Sequence, residues 1–184
     1  MNSPDMSTEA VIAATQSWLQ KAVIGLNLCP FANAVHIRQR IRYAVSEAST
    51  IDDLLDDLER ELKTLATTAP ENVETTLLIH PRIFTDFLDY NDFLERADEF
   101  VEELGFAGEL QVASFHPQYQ FAGTEPDDIT NYTNRSPYPI LHLLRESSID
   151  AAIAAYPETE NIYLRNIETM RKLGLSGWAA LGLK

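Results

Sequence analysis

Apolar positions along this chain recur with two periods, and the alternation between them sketches an order of elements. Val11, Ile12, Thr15, Trp18, Leu19, Ala22, Val23 and Leu26 lie three and four apart, one stripe of an amphipathic helix with Ser7 as its cap. From Val35 to Val45 the period is two. Ile37, Ile41, Tyr43 and Val45 share one face there, and His36, Arg38, Arg40 and Arg42 the other, which predicts a strand. A second helix is expected from Thr50, with Ile51, Leu54, Leu55, Leu58, Leu62 and Leu65 inward and the acids outward. Thr75 to Ile79 predicts a short buried strand. Phe93, Leu94, Ala97, Phe100, Val101 and Leu104 predict a third helix that Gly105 closes. Leu110 to Phe115 follows as a third strand.

Beyond residue 135 the reading is helical. Ser136-Pro137 has the form of a cap and first-turn pair for a helix through Glu146. Further helices are expected over 148–155, 159–173 and 176–182, with Gly174 as a stop. Strands joined by helical connections of this length usually run parallel. The expected fold is therefore α/β, a small three-stranded, mainly parallel sheet covered by helices, with a helical C-terminal part. No repeat or linker divides the chain, so residues 1–184 are expected to form one domain, with 1–7 disordered.

Charge narrows the partners. The net charge of −14 argues against nucleic acid and anionic lipid, which require a basic surface. Residues 52–103 hold sixteen acids against four bases, so most of the excess belongs to two helices and their connection. No apolar run approaches the roughly 20 residues of a membrane helix. The first residues show neither a basic region nor an apolar leader, and one cysteine rules out an internal disulfide. A cytoplasmic protein is the expectation.

Candidate chemistry gathers late in the chain. Two strands end in the same dipeptide, His80-Pro81 and His116-Pro117, and proline stops a ladder. If those strands are parallel, both histidines emerge at the sheet edge where open α/β sheets place ligands. From His116 to Arg135 some twenty residues lack periodicity yet hold His116, Tyr119, Asp128, Asn131, Asn134 and Arg135. On the expected helix His142 and Glu146 share a face, with Arg145 beside them, a spacing that suits a metal or an oriented general base. Cys29 could be a thiolate nucleophile beside a histidine, or a small buried hydrophobe. Arg38, Arg40 and Arg42 could bind an anion, or guard an edge strand.

The runs GLNLCPFA, ETTLLIHP, DFLDYNDFL, GELQVASFHPQYQFAGT, DDITNYTNRSPYPILHLLRE and NIETMRKLG resemble a bacterial family called domain of unknown function 1415. The similarity spans nearly the whole chain. It implies a soluble bacterial protein and carries over no activity, substrate or cofactor.

Three functions stay open. The first is an enzyme, a hydrolase or group transferase acting on a small polar or anionic substrate. In it His116, Cys29, Asp128, His142 and Glu146 would be catalytic, and Arg135, Arg145, Asn131, Asn134, Tyr119 and His80 would bind substrate. No nucleotide-cofactor motif is present, and the cofactor is left open. The second is a metal-binding protein using His80, His116, His142 and Glu146. The third is a non-catalytic module for a small ligand or a protein partner.

Overall fold

The computed structural model describes residues 6–156 and 158–183. The expectation of disorder over 1–7 lies outside the described residues for 1–5, while Ser7 caps the first helix and accepts from the Ala10 amide. Helix α1 (Thr8–Trp18) runs into a π-helical turn, Leu19–Ile24. A short helix α2 (Ala32–Ile37) precedes strand β1 (Ile41–Val45). Helix α3 (Ile51–Thr67) leads to β2 (Thr75–Ile79), and α4 (Phe87–Glu103) to β3 (Leu110–Phe115). After a long loop holding a 3-10 helix (Ile129–Thr133) come β4 (Ile140–Arg145), α5 (Glu146–Ala155) and α6 (Ile162–Ala180). Gly174 breaks α6 with φ of 65°, the stop expected there. None of these helices is long and apolar enough to cross a membrane.

The strand order is β1-β2-β4-β3. β1 and β2 are parallel, but β4 lies between β2 and β3 and is antiparallel to both. The α/β class stands, and the sheet has four strands rather than three. The added strand is the segment expected to be a helix through Glu146. Its run ILHLLR is fully buried on one face of the sheet and half-buried at His142 and Leu144 on the other, so apolar residues occupy both faces and give no period of two. Ser136-Pro137 begins no helix. The Ser136 hydroxyl donates to the Tyr138 carbonyl, and the strand follows Pro139.

The strand expected over Val35–Val45 is also shorter. Its first half is α2, closed by a turn in which Gln39 adopts φ of 57°. β1 is an edge strand, and its Arg42 makes a two-pronged pair with buried Glu61 of α3, at 2.6 and 3.2 Å. Arg40 meets Glu74 at 3.8 Å. Acid from the neighbouring elements thus neutralises these arginines.

Alternation divides the sheet into two cores. Leu78, Leu141, Leu143 and Leu110 point to α3 and α4, where Leu54, Leu58, Leu62, Leu65, Phe93, Ala97 and Val101 bury the stripes read from the sequence. Leu77, Ile79 and Ile140 point the other way, to Val11, Trp18, Leu19, Ala22 and Val23 of α1 and the π-helical turn.

Candidate functional site

β2 and β3 both run opposite to β4, so His80 and His116 do leave the sheet at one edge. Both are fully buried on the α4 side. Tyr90 of α4 is stacked between them, with ring centroids 5.7 Å from His80 and 5.0 Å from His116. Its hydroxyl donates to the Ile140 carbonyl at 2.7 Å. His116 Nε2 donates to the Phe84 carbonyl and Nδ1 accepts from the Gln118 amide, each at 3.0 Å. His80 Nδ1 donates to the Ile83 carbonyl at 3.2 Å, while its Nε2 is buried without a partner. Burial holds His116 below the usual histidine range and pushes His80 down to about 4. The two rings therefore pin the 83–84 loop, where Phe84 takes φ of 58°. His116→Ala is expected to cost about 2–4 kcal/mol by chemical denaturation, since it empties a stacked site and orphans two backbone groups. Unchanged stability would return this ring to the functional candidates.

Within the loop from residue 116 to 135, Asp128, Asn131 and Arg135 bond to the loop itself. Buried Asn131 accepts from the Phe121 amide and the Thr124 hydroxyl, at 2.9 and 2.7 Å, and donates to the Glu125 carbonyl at 2.8 Å. Asp128 caps the 3-10 helix, and donors from Thr130 hold its carboxyl below the ordinary range. Arg135 donates to the Tyr119 and Pro126 carbonyls and lies 4.2 Å from the Tyr132 ring centre. The Asn134 carbonyl accepts from the His116 amide. Tyr119 packs between Phe87 and Phe121. Tyr132 meets Trp178 of α6 at 5.1 Å. These residues lock a long connection into place.

His142 and Glu146 share no helix face, because one lies within β4 and the other opens α5. Arg145, expected to bind substrate, is buried on the α3 side, where its Nη2 donates to the Leu65, Thr68 and Val73 carbonyls. The proposed metal set of His80, His116, His142 and Glu146 is likewise not assembled, since the sheet stands between His142 and the other two histidines. Among the described residues no cluster of three or more His, Cys, Asp or Glu is placed to hold a metal ion.

His142 instead faces the second core, and there a cavity of about 340 Å³ opens. Trp18, Leu19, Val23, Phe31, Val35, Ile41, Leu77, Phe115, Leu144, Ile149, Ala152 and Ile153 make it largely apolar, and Cys29, Thr75, Glu74, Ser148 and His142 add polar atoms. The π-helical turn contributes Leu19 and Val23. Its wide hydrogen bonds, Gln20 carbonyl to Gly25 amide and Val23 carbonyl to Leu28 amide, are the kind of bulge often found at functional sites. α5 has no fully buried residue, and its Ser148, Ile149, Ala152 and Ile153 form one wall. Burial pushes His142 down to about 4, so the ring is neutral at physiological pH. Cys29 and His142 thus share a cavity, and His116 lies across the sheet from both.

A family model matches residues 10–180, and its description is protein of unknown function (DUF1415). The chain belongs to the DUF1415 family. Neither curated proteins nor solved structures gave a match. Of the cavity's lining the sequence singled out Cys29 and His142 as functional, and it missed Thr75, Phe31 and α5. The apolar lining looked like ordinary core stripe, and the π-helical turn has no signature in an amphipathic repeat.

Proposed function

We propose that this protein is a ligand-binding domain whose ligand is a compact, mostly apolar small molecule held between the π-helical turn, the sheet and α5. The observation that carries this reading is the cavity itself. A volume of about 340 Å³ falls at the lower end of the range for small-molecule sites, and its lining combines an apolar wall with a few convergent polar groups. The polar-substrate reading loses support because Asp128, Asn131 and Arg135 are occupied within their own loop. The acidic charge of −14 and the single cysteine fit a bacterial, cytoplasmic setting without nucleic acid.

The neutral dye N-phenyl-1-naphthylamine tests it. Saturable fluorescence enhancement at one dye per chain is expected, and Ala152→Trp, which fills the cavity from α5, is expected to weaken it at least tenfold while the fold is kept. Binding that is absent, or unchanged in a folded Ala152→Trp, would overturn the reading. A second reading, a thiol enzyme, has one observation in its favour: Cys29 and His142 line the same cavity. It requires release of more than one equivalent of p-nitrophenol from p-nitrophenyl butyrate, abolished in Cys29→Ser.

A further inference from the structure

The polar atoms of the cavity specify more than an apolar occupant. Thr75 lies at the start of β2, beside β4, and its hydroxyl oxygen is 2.7 Å from the Leu143 carbonyl and 2.7 Å from His142 Nε2. A hydroxyl has one hydrogen to give. The Leu143 oxygen can only accept, so the Thr75 hydrogen goes there, and Thr75 then accepts from His142. The proton of the neutral imidazole is therefore on Nε2, and Nδ1 carries a lone pair.

That lone pair has no hydrogen-bond partner among the described residues. Nor is it sealed in the protein, as Tyr43 Oη, Thr76 Oγ1, His80 Nε2 and Arg145 Nε are. His142 keeps partial exposure, and it lines the cavity together with Phe115, whose ring is 5.9 Å away. The cavity thus offers a fixed acceptor in an apolar wall. An acceptor in such surroundings favours a ligand that donates to it, because a polar group buried without a partner loses its bonds to water and gains none in return.

We propose that the ligand is an apolar body bearing one neutral hydrogen-bond donor, an alcohol or phenol, which donates to His142 Nδ1. Thr75 is the positioning residue that fixes the tautomer. The reading rests on the cavity being the binding site and adds the ligand's polar end. Its chemical complement is a hydroxyl, and ethers and ketones of the same shape are discriminated against.

The test is a matched pair, 2-naphthol and 2-methoxynaphthalene, each displacing N-phenyl-1-naphthylamine from the wild-type protein. The naphthol is expected to bind at least tenfold more tightly than the ether. His142→Leu removes the acceptor, and the preference should fall to within about twofold. Thr75→Val frees the imidazole to carry its proton on Nδ1, so 2-acetonaphthone, which only accepts, should gain relative to the naphthol. Equal binding of naphthol and ether, or tighter binding of the ether, would overturn the donor proposal and leave the cavity reading intact. Failure of both to displace bound dye, or of the dye to bind, would overturn the cavity reading as well. If His142→Leu does not fold, the wild-type pair and Thr75→Val still decide the matter.

Discussion

Arg145→Ala is expected to lower the stability of the protein by about 3–5 kcal/mol, through the desolvated acceptors it abandons. The guanidinium reaches from the α3 side of β4 to the end of α3. Its Nη2 lies 2.6 Å from the Leu65 carbonyl, 2.5 Å from that of Thr68 and 3.1 Å from that of Val73. Leu65 is in the last turn of α3, and Thr68 is its C-terminal cap. A helix leaves its final carbonyls without intrahelical partners and its C-terminus carries a partial negative charge, so a cation there answers both needs. With alanine the acceptors remain buried and unserved. Arg145→Lys should recover part of the loss, since it keeps the charge but not the reach of the planar fork. Urea denaturation measures the effect, and dye affinity of the folded variant should stay near wild type. A stable Arg145→Ala would mean instead that water reaches those three carbonyls.

Acidification is the second large effect. Buried His80 and cavity-lining His142 are each pushed down to about 4 in the folded protein, from an ordinary value of 6.5, burial being the main cause for both. Their neutral forms are favoured by folding, so the stability they contribute is complete above pH 6.5. It drains away as pH falls toward 4, because the unfolded chain binds protons that the folded chain refuses. Between pH 7 and 5 the loss is roughly 2 kcal/mol for His80 and less for His142, whose ring opens on the cavity. Protonation of surface carboxylates works the other way, since it relieves the repulsion of a net charge of −14. Urea midpoints from pH 7 to 5 should fall steadily, and His80→Phe should flatten part of the slope. A flat wild-type profile would mean that both rings reach solvent freely.

Helices were legible wherever apolar spacing and caps coincided, as in α3, where Thr50 caps the first turn and four buried leucines follow. The same rule failed for β4, whose side chains find apolar neighbours on both faces, so periodicity carries no information about it. The histidines were legible as a pair at one edge. Their role was not, because sequence shows that His80 and His116 end strands but not that Tyr90, from another element, fills the space between them. Cys29 and His142 are far apart in sequence, and the cavity joins them only because the sheet face bearing His142 meets the segment after the π-helical turn. Thr75 was invisible as a functional residue. Its meaning depends on pairing with β4, the strand that was read as a helix.

A ligand in that cavity is expected to set its donor on His142. Crystals grown with 6-bromo-2-naphthol address it directly, since anomalous scattering locates the bromine without interpretation of weak density. The expected result is one bromine peak bounded by Cys29, Phe31, Phe115 and Ala152, with the hydroxyl within hydrogen-bond distance of His142 Nδ1. A bromine peak on the far side of the sheet, beside Tyr90 or the 116–135 loop, would contradict it.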